Sequence, residues 1–361
     1  VKRLPILVAV LRDPGLLPGL RLADWDLLLR QSTSTNLSPT LLALIEEHGL
    51  LDAVPAQPRA HLEWVRALAT RHRQAVGFEV ECIQAALARV EGVAPLLLLK
   101  GAAYAMAGLR AGAGRLFGDI DIMVPQARLD DVESALMLHG WASNQTDAYD
   151  QRYYRQWMHE LPPMQHVRRQ SSIDVHHAIL PQTAPVHPDP ALLRAAAVPI
   201  AHAPGLATLA PADMVLHSAV HLFFDGEFDK GLRDLLDLHF LFREFGAHAG
   251  FWEALPPRAR VLELERPLFY ALRYSRRLLG TPVPDAVLDA LAPAAPNGVL
   301  LAVMDALFER ALLPIHASCS DAFSGAARFA LYVRGNWLRM PPLMLARHLF
   351  HKAFLSRKQS S

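Results

Sequence analysis

The sequence predicts an α+β protein, a small mixed sheet flanked by N-terminal and C-terminal helical regions. Three observations carry this reading. Apolar residues recur at helical spacing over residues 23–90 and again from Pro211 almost to the end. Between them lies a continuous apolar run, Val93 followed by Leu96, Leu97, Leu98 and Leu99, which suits a buried strand. Two further segments, 119–124 and 172–176, alternate polar and apolar with period two, as strands with one wet face do.

Each region follows in order. Residues 1–90 form a helical region, with Leu41, Leu42, Leu44 and Ile45, then Leu62, Trp64, Val65 and Leu68, spaced for a helix face. Residues 91–180 form the α/β core. In it the apolar strand ends at Lys100-Gly101, a helix covers 102–109, a flexible connection covers 112–118, and the first alternating strand is Asp119-Ile120-Asp121-Ile122-Met123-Val124. A helix over 129–140 carries Asp130, Asp131 and Glu133 in its first turn, where the helix dipole favours anions. A strand pair occupies 158–179, its second member being Ser172-Ile173-Asp174-Val175-His176, while Pro162-Pro163 limits the regularity of the first. Residues 181–210 open with Pro181, Pro185, Pro188 and Pro190 and read as a linker. Residues 211–361 read as a helical domain, strongest over 214–224 and 232–245.

Length and composition bound the function. The 361 residues are enough for more than one domain. Lys plus Arg (36) nearly cancel Asp plus Glu (35), so net charge gives no nucleic-acid signal and argues against long nucleic acids. Cys82 and Cys319 are too few for a disulfide framework or a zinc cluster, which fits a reducing, cytoplasmic setting. No apolar run approaches the roughly 18 to 20 residues of a membrane-spanning helix, and the opening Val1-Lys2-Arg3 lacks a signal-peptide layout. The initial Val in place of Met points to a native N-terminus that extends further.

The chemistry concentrates in the alternating strands. Asp119 and Asp121 stand two apart and project from one face, while Ile120 and Ile122 point into the core. Like charges this close are costly without a cation, and Mg²⁺ (or Mn²⁺) prefers carboxylate and phosphate oxygens together. Asp174, on a neighbouring alternating strand, completes a trio able to hold two ions for an in-line phosphoryl displacement. Upstream, Lys100-Gly101 at a strand end and Arg115 ahead of the aspartates supply countercharge and backbone access for phosphate.

The ordered set Leu99-Lys100-Gly101-Ala102-Ala103, Arg115, Gly118-Asp119-Ile120-Asp121-Ile122 and Ile173-Asp174-Val175-His176 resembles the bacterial uncharacterised nucleotidyltransferase family of the DNA polymerase beta-like superfamily. The resemblance runs over about residues 41–241. It implies a nucleoside triphosphate donor and metal ligation by Asp119, Asp121 and Asp174, with Asp174 helping to deprotonate the acceptor. Gly101 would line the phosphate loop. Ala102 departs from the Gly-Ser found at this turn in many superfamily members, and the resemblance implies that Lys100 and Arg115 compensate. Other readings are glycosyl transfer from a nucleotide-sugar donor on the same fold, or a nucleotide-binding module without turnover.

Further residues are candidates for the acceptor or base pocket. His217 and His221 share a helix face, and Arg233, Asp234 and Asp237 follow on the next helix; a polar network tying the two helices explains them equally well. No Glu follows His217 as a His-Glu-x-x-His zinc motif requires. Of His176 and His177, alternation sends one toward the site and the other away. The acceptor, whether small molecule, peptide or protein, is left open. Arg328, Arg334, Arg339, Arg347, His348, His351, Lys352, Arg357 and Lys358, set among apolar residues, raise a basic amphipathic surface as an alternative to an ordinary solvated helix face.

Overall fold

Among the described residues, the strands at the heart of the molecule belong to one seven-stranded mixed sheet in the order Trp141–Ser143, Met164–His166, Ser172–His176, Asp119–Met123, Leu96–Leu98, Leu206–Thr208, Val198–Pro199. The structure is a computed structural model, and it describes residues 4–143, 154–155 and 157–341. The strands are β1 (Leu96–Leu98), β2 (Asp119–Met123), β3 (Trp141–Ser143), β4 (Met164–His166), β5 (Ser172–His176), β6 (Val198–Pro199) and β7 (Leu206–Thr208). Strand β2 lies antiparallel to β1 and parallel to β5, so both alternating segments end up side by side at the sheet centre. Their apolar members Ile120, Ile122, Ile173 and Val175 are buried on the face opposite the aspartates, as period two requires.

The N-terminal region is helical as its spacing predicts, with helices Ile6–Arg12, Leu22–Ser34, Ser38–Glu47 and Ala56–Leu87. The last of these runs for 32 residues and buries Leu62 and Val65 in its first half and Val76, Val80, Ile83 and Leu87 in its second, at three- and four-residue steps within each group. Beyond the sheet, helices Pro211–Phe224, Gly231–Phe245 and Glu265–Leu279 pack on one another, and Gly298–Ala311 pairs with Ser324–Arg339. Among the described residues, no helix is long and apolar enough to cross a membrane.

The stretch expected as a linker, 181–210, is where the structure differs most from the sequence reading. It contains the helix Pro190–Ala195 and the β6–β7 hairpin, and β7 joins the sheet parallel to β1 with Leu97 opposite Ala207. Its strands are two and three residues long, too short for alternation to register; Pro181, Pro185, Pro188 and Pro190 precede them, and Pro199 sits in the edge strand β6. One hydrophobic core then runs from Leu7 to Leu331, across the boundaries expected near 90, 180 and 210. It joins the sheet to the helices that face its carboxylate edge.

Candidate active site

Parallel pairing of β2 with β5 sets Asp121 directly opposite Asp174 and Asp119 opposite Ser172. Asp119, Asp121 and Asp174 each offer a carboxylate oxygen, and these oxygens lie within 4.8 Å of one another. Asp121 is the buried member, and Asp119 sits at the exposed start of the strand. The spacing two apart that singled out Asp119 and Asp121 and the register that added Asp174 thus produce one acidic cluster.

Asp121 is the anchored member. Its Oδ1 accepts from Lys100 Nζ at 2.8 Å and lies 2.9 Å from His176 Nε2. Burial would push this carboxyl up, but the Lys100 ammonium and the His176 contact outweigh it and hold the group well below the usual carboxylate range. The same pairing overcomes burial at Lys100 and holds its ammonium above its ordinary pKa. Because both contacts fall on Oδ1, the second oxygen of Asp121 is left for another partner. Lys100 itself adopts φ +45°, a conformation that is uncommon outside glycine and clusters at functional sites.

Asp119 and Asp174 have no hydrogen-bond or ion-pair partner among the described residues. The Asp174 carboxyl is pushed up to about 7, chiefly by burial and then by the charges of Glu160 and Asp121. Negative charge is therefore under-compensated here, the condition in which a bound cation is most favourable. Three carboxylates form a hard oxygen donor set of the kind Mg²⁺ and Mn²⁺ take.

The cluster opens onto a cavity of about 320 Å³ lined by Lys100, Arg115, Phe117, Asp119, Asp121, His221, Arg233 and Asp234, together with Glu227, Asp229 and Lys230 from the connection between helices Pro211–Phe224 and Gly231–Phe245. That volume is at the lower end of the range for small-molecule sites. A second concavity of about 230 Å³ shares Phe117 and Asp119 with the first and continues past Glu79, Arg169, Ser171 and Ser172. Asp119 stands at the divide between the two.

Arg115 and Gly101 have structural work that the sequence did not reveal. The Arg115 Nε donates to Asp237 Oδ2 at 2.7 Å, Nη2 lies 3.7 Å from Asp234, and the guanidinium sits 5.6 Å from the ring centres of both Tyr104 and Phe117. Arg233 in turn donates to Asp234 Oδ1 at 2.9 and 2.7 Å. Two guanidinium groups are thus matched by two buried carboxylates. A Cβ at Gly101 would collide with the Arg115 guanidinium and the Phe117 ring, and Gly101 is absent from the cavity lining. The glycine makes room for the Arg115 guanidinium and the Phe117 ring. Gly101 is the second residue of the helix Lys100–Met106, which is seven residues long and begins two residues earlier than its spacing predicts.

The second-tier residues divide. His221 reaches the cavity with its Nδ1 2.6 Å from Asp225 Oδ2, whereas His217 is buried beneath and held well below its ordinary pKa by desolvation and by Lys100. His176 faces Asp121, while the chain turns His177 elsewhere. The sequence reading passed over Glu160, Asp225, Glu227, Asp229 and Lys230; the last four sit in Asp225-Gly226-Glu227-Phe228-Asp229-Lys230, whose charge density between two apolar helices was the available signal. At the C-terminus, Arg334 turns inward to donate to the Phe223 carbonyl at 2.7 Å, and Arg339 lies 3.8 Å from Asp225. Arg347, His348, His351, Lys352, Arg357 and Lys358 lie outside the described residues.

A carboxylate cluster beside a charged cavity defines a class of protein suited to handling a polar, charged ligand. A family model described as an uncharacterised nucleotidyltransferase matches residues 21–280, well over half of the chain, and the chain belongs to that family. It is a nucleotidyltransferase in the general sense. The match extends beyond the region of resemblance on both sides and contains every residue of the cluster and the cavity. No curated protein and no solved structure matches the chain.

Proposed function

We propose that this protein transfers a nucleoside monophosphate from a nucleoside triphosphate to a hydroxyl or phosphate acceptor, with Mg²⁺ or Mn²⁺ held by Asp119, Asp121 and Asp174, on a core of the DNA polymerase beta-like type. The observation that carries the proposal is the register of β2 against β5, which brings three carboxylates within 4.8 Å at the cavity mouth while two of them lack a partner among the described residues. Bound there, divalent ions would stabilise charge on the attacking and leaving oxygens of the displacement.

The chain's own groups then have definable tasks. Lys100 and His176 fix the Asp121 carboxylate through one oxygen and leave the other turned to the site. Lys230, which has no ion-pair partner among the described residues, lines the same cavity and provides countercharge for a triphosphate. Arg115 contributes mainly by holding the wall, since its charge is already matched by Asp237 and Asp234. Asp174, opposite Asp121 on the neighbouring strand, is placed to take the acceptor's proton. The adjoining concavity past Asp119 offers the acceptor a path from the side opposite the donor.

The test is a labelled-nucleotide transfer and pyrophosphate-release assay with each of the four triphosphates and cell extract as the acceptor source. Asp119→Asn combined with Asp121→Asn should reduce metal-dependent transfer by roughly 100-fold or more. Transfer that survives the double substitution would remove the triad from the reaction. Label incorporated only from nucleotide sugars would instead establish sugar transfer.

A further inference from the structure

Beside Asp121, and in contact with it through His176, lies a second set of potential ligands made of different atoms. The chain at 159–161 runs alongside the end of β5: His177 N–H donates to the His159 carbonyl at 2.8 Å, Leu161 N–H donates to the Val175 carbonyl at 2.9 Å, and Glu160 bridges antiparallel to His176. That pairing gathers the side chains of His159, Glu160 and His176, whose potential ligand atoms all lie within 4.8 Å of one another. The two imidazole rings are 5.3 Å apart between centres and tilted by 31°.

Hydrogen bonding leaves this group unsatisfied. His176 Nε2 is engaged with Asp121, whereas its Nδ1, 3.3 Å from Glu160 Oε2, is buried without a hydrogen-bond partner. His159 Nδ1 is likewise buried and unpartnered. Buried polar atoms without partners are rare because each costs its full desolvation penalty, and coordination to an ion removes that cost. The donors are two imidazole nitrogens and one carboxylate, a set that suits a borderline divalent ion such as Zn²⁺ better than Mg²⁺, which demands oxygen ligands. Ligands about 2.0–2.1 Å from a tetrahedral ion stand roughly 3.3–3.4 Å apart, and the separation of His176 Nδ1 from Glu160 Oε2 is 3.3 Å.

We propose that His159, Glu160 and His176 bind a Zn²⁺-type ion, with His176 coordinating through Nδ1 and donating its Nε2 proton to Asp121. A metal-bound histidine almost always gives its second ring N–H to a carboxylate or carbonyl, which fixes its tautomer and ring orientation. Here the carboxylate in that position is Asp121, so the zinc site sets the donor that holds the Asp121 side chain in place. The proposal stands on its own atoms and does not depend on the reaction assigned to the aspartate triad.

The experiment uses the full chain, stripped with a chelator and titrated with Zn²⁺ against a chromophoric competitor in excess Mg²⁺, then with Co²⁺ to record its visible absorption. The expected result is about one Zn²⁺ per chain and the intense bands of a four-coordinate Co²⁺ ion. Glu160→Gln and His159→Gln should each weaken Zn²⁺ binding roughly tenfold or more, with circular dichroism verifying the fold, while Asp119→Asn keeps wild-type Zn²⁺ affinity. Absence of Zn²⁺ binding by the wild-type protein overturns the proposal. So does binding that survives Glu160→Gln and His159→Gln but is lost in Asp119→Asn, since the ion would then sit among the aspartates.

Discussion

Two acidic groups meet at the cavity, and the protein treats them in opposite ways. Asp234 and Asp237 are held by Arg115 and Arg233 through close contacts, one fixed guanidinium for each carboxylate. Asp119, Asp121 and Asp174 share Lys100 and the His176 ring, both spent on a single oxygen of Asp121. Guanidinium groups cannot lose their charge and lock carboxylates in place, so the first group is a wall. The second keeps unmatched negative charge, which costs stability unless a cation arrives. The difference separates residues that shape the cavity from residues that act in it, although every member is an aspartate.

The comparison is broken most forcefully at Arg115. Replacing it by Met leaves Asp237 and Asp234 buried with one guanidinium between them, and the loss expected from breaking such a buried pair is about 3–5 kcal/mol. Urea unfolding of Arg115→Met measures this directly. A loss below about 1 kcal/mol would mean that the wall pairs are dispensable and that Arg115 is free to serve a ligand.

Gly101→Ala sharpens the division at its joint. The added methyl meets Arg115 and Phe117, and overpacking of this kind costs about 1–3 kcal/mol. Denaturant midpoints should fall accordingly, with the triphosphate KM changing little. Unchanged stability with a raised KM would return Gly101 to the phosphate role that its position beside Lys100 suggests.

The smallest expected change in stability is at Asp119. This carboxylate is exposed and has no partner among the described residues, so Asp119→Asn should shift stability by less than about 0.5 kcal/mol. Metal-dependent transfer by the same variant should fall roughly 100-fold. A variant that loses stability and keeps activity would place Asp119 with the wall.

These outcomes bear on how much of the site was legible in the sequence. The period-two pattern of Asp119-Ile120-Asp121-Ile122 made the strand, its buried face and its paired carboxylates readable, because alternation is a local property of the backbone. Segment 172–176 yielded Asp174 for the same reason. The β6–β7 hairpin was missed because two- and three-residue strands carry no period, and β7 pairs with β1, a partner more than one hundred residues away in sequence. His159 and Glu160 gave no local signal: neither lies in an alternating segment, and their relation to His176 arises from a chain crossing.

The sequence by itself determined which residues could bear the chemistry, since side-chain charge and strand periodicity are written along the chain. Only the tertiary structure decided which charges were already spent. Arg115 and Lys100 read alike as phosphate-binding cations, yet Arg115 meets Asp237 at a separation of 122 residues and Lys100 meets Asp121 across 21. Electrostatic compensation depends on distance in space and on burial, and neither is a function of position in the sequence.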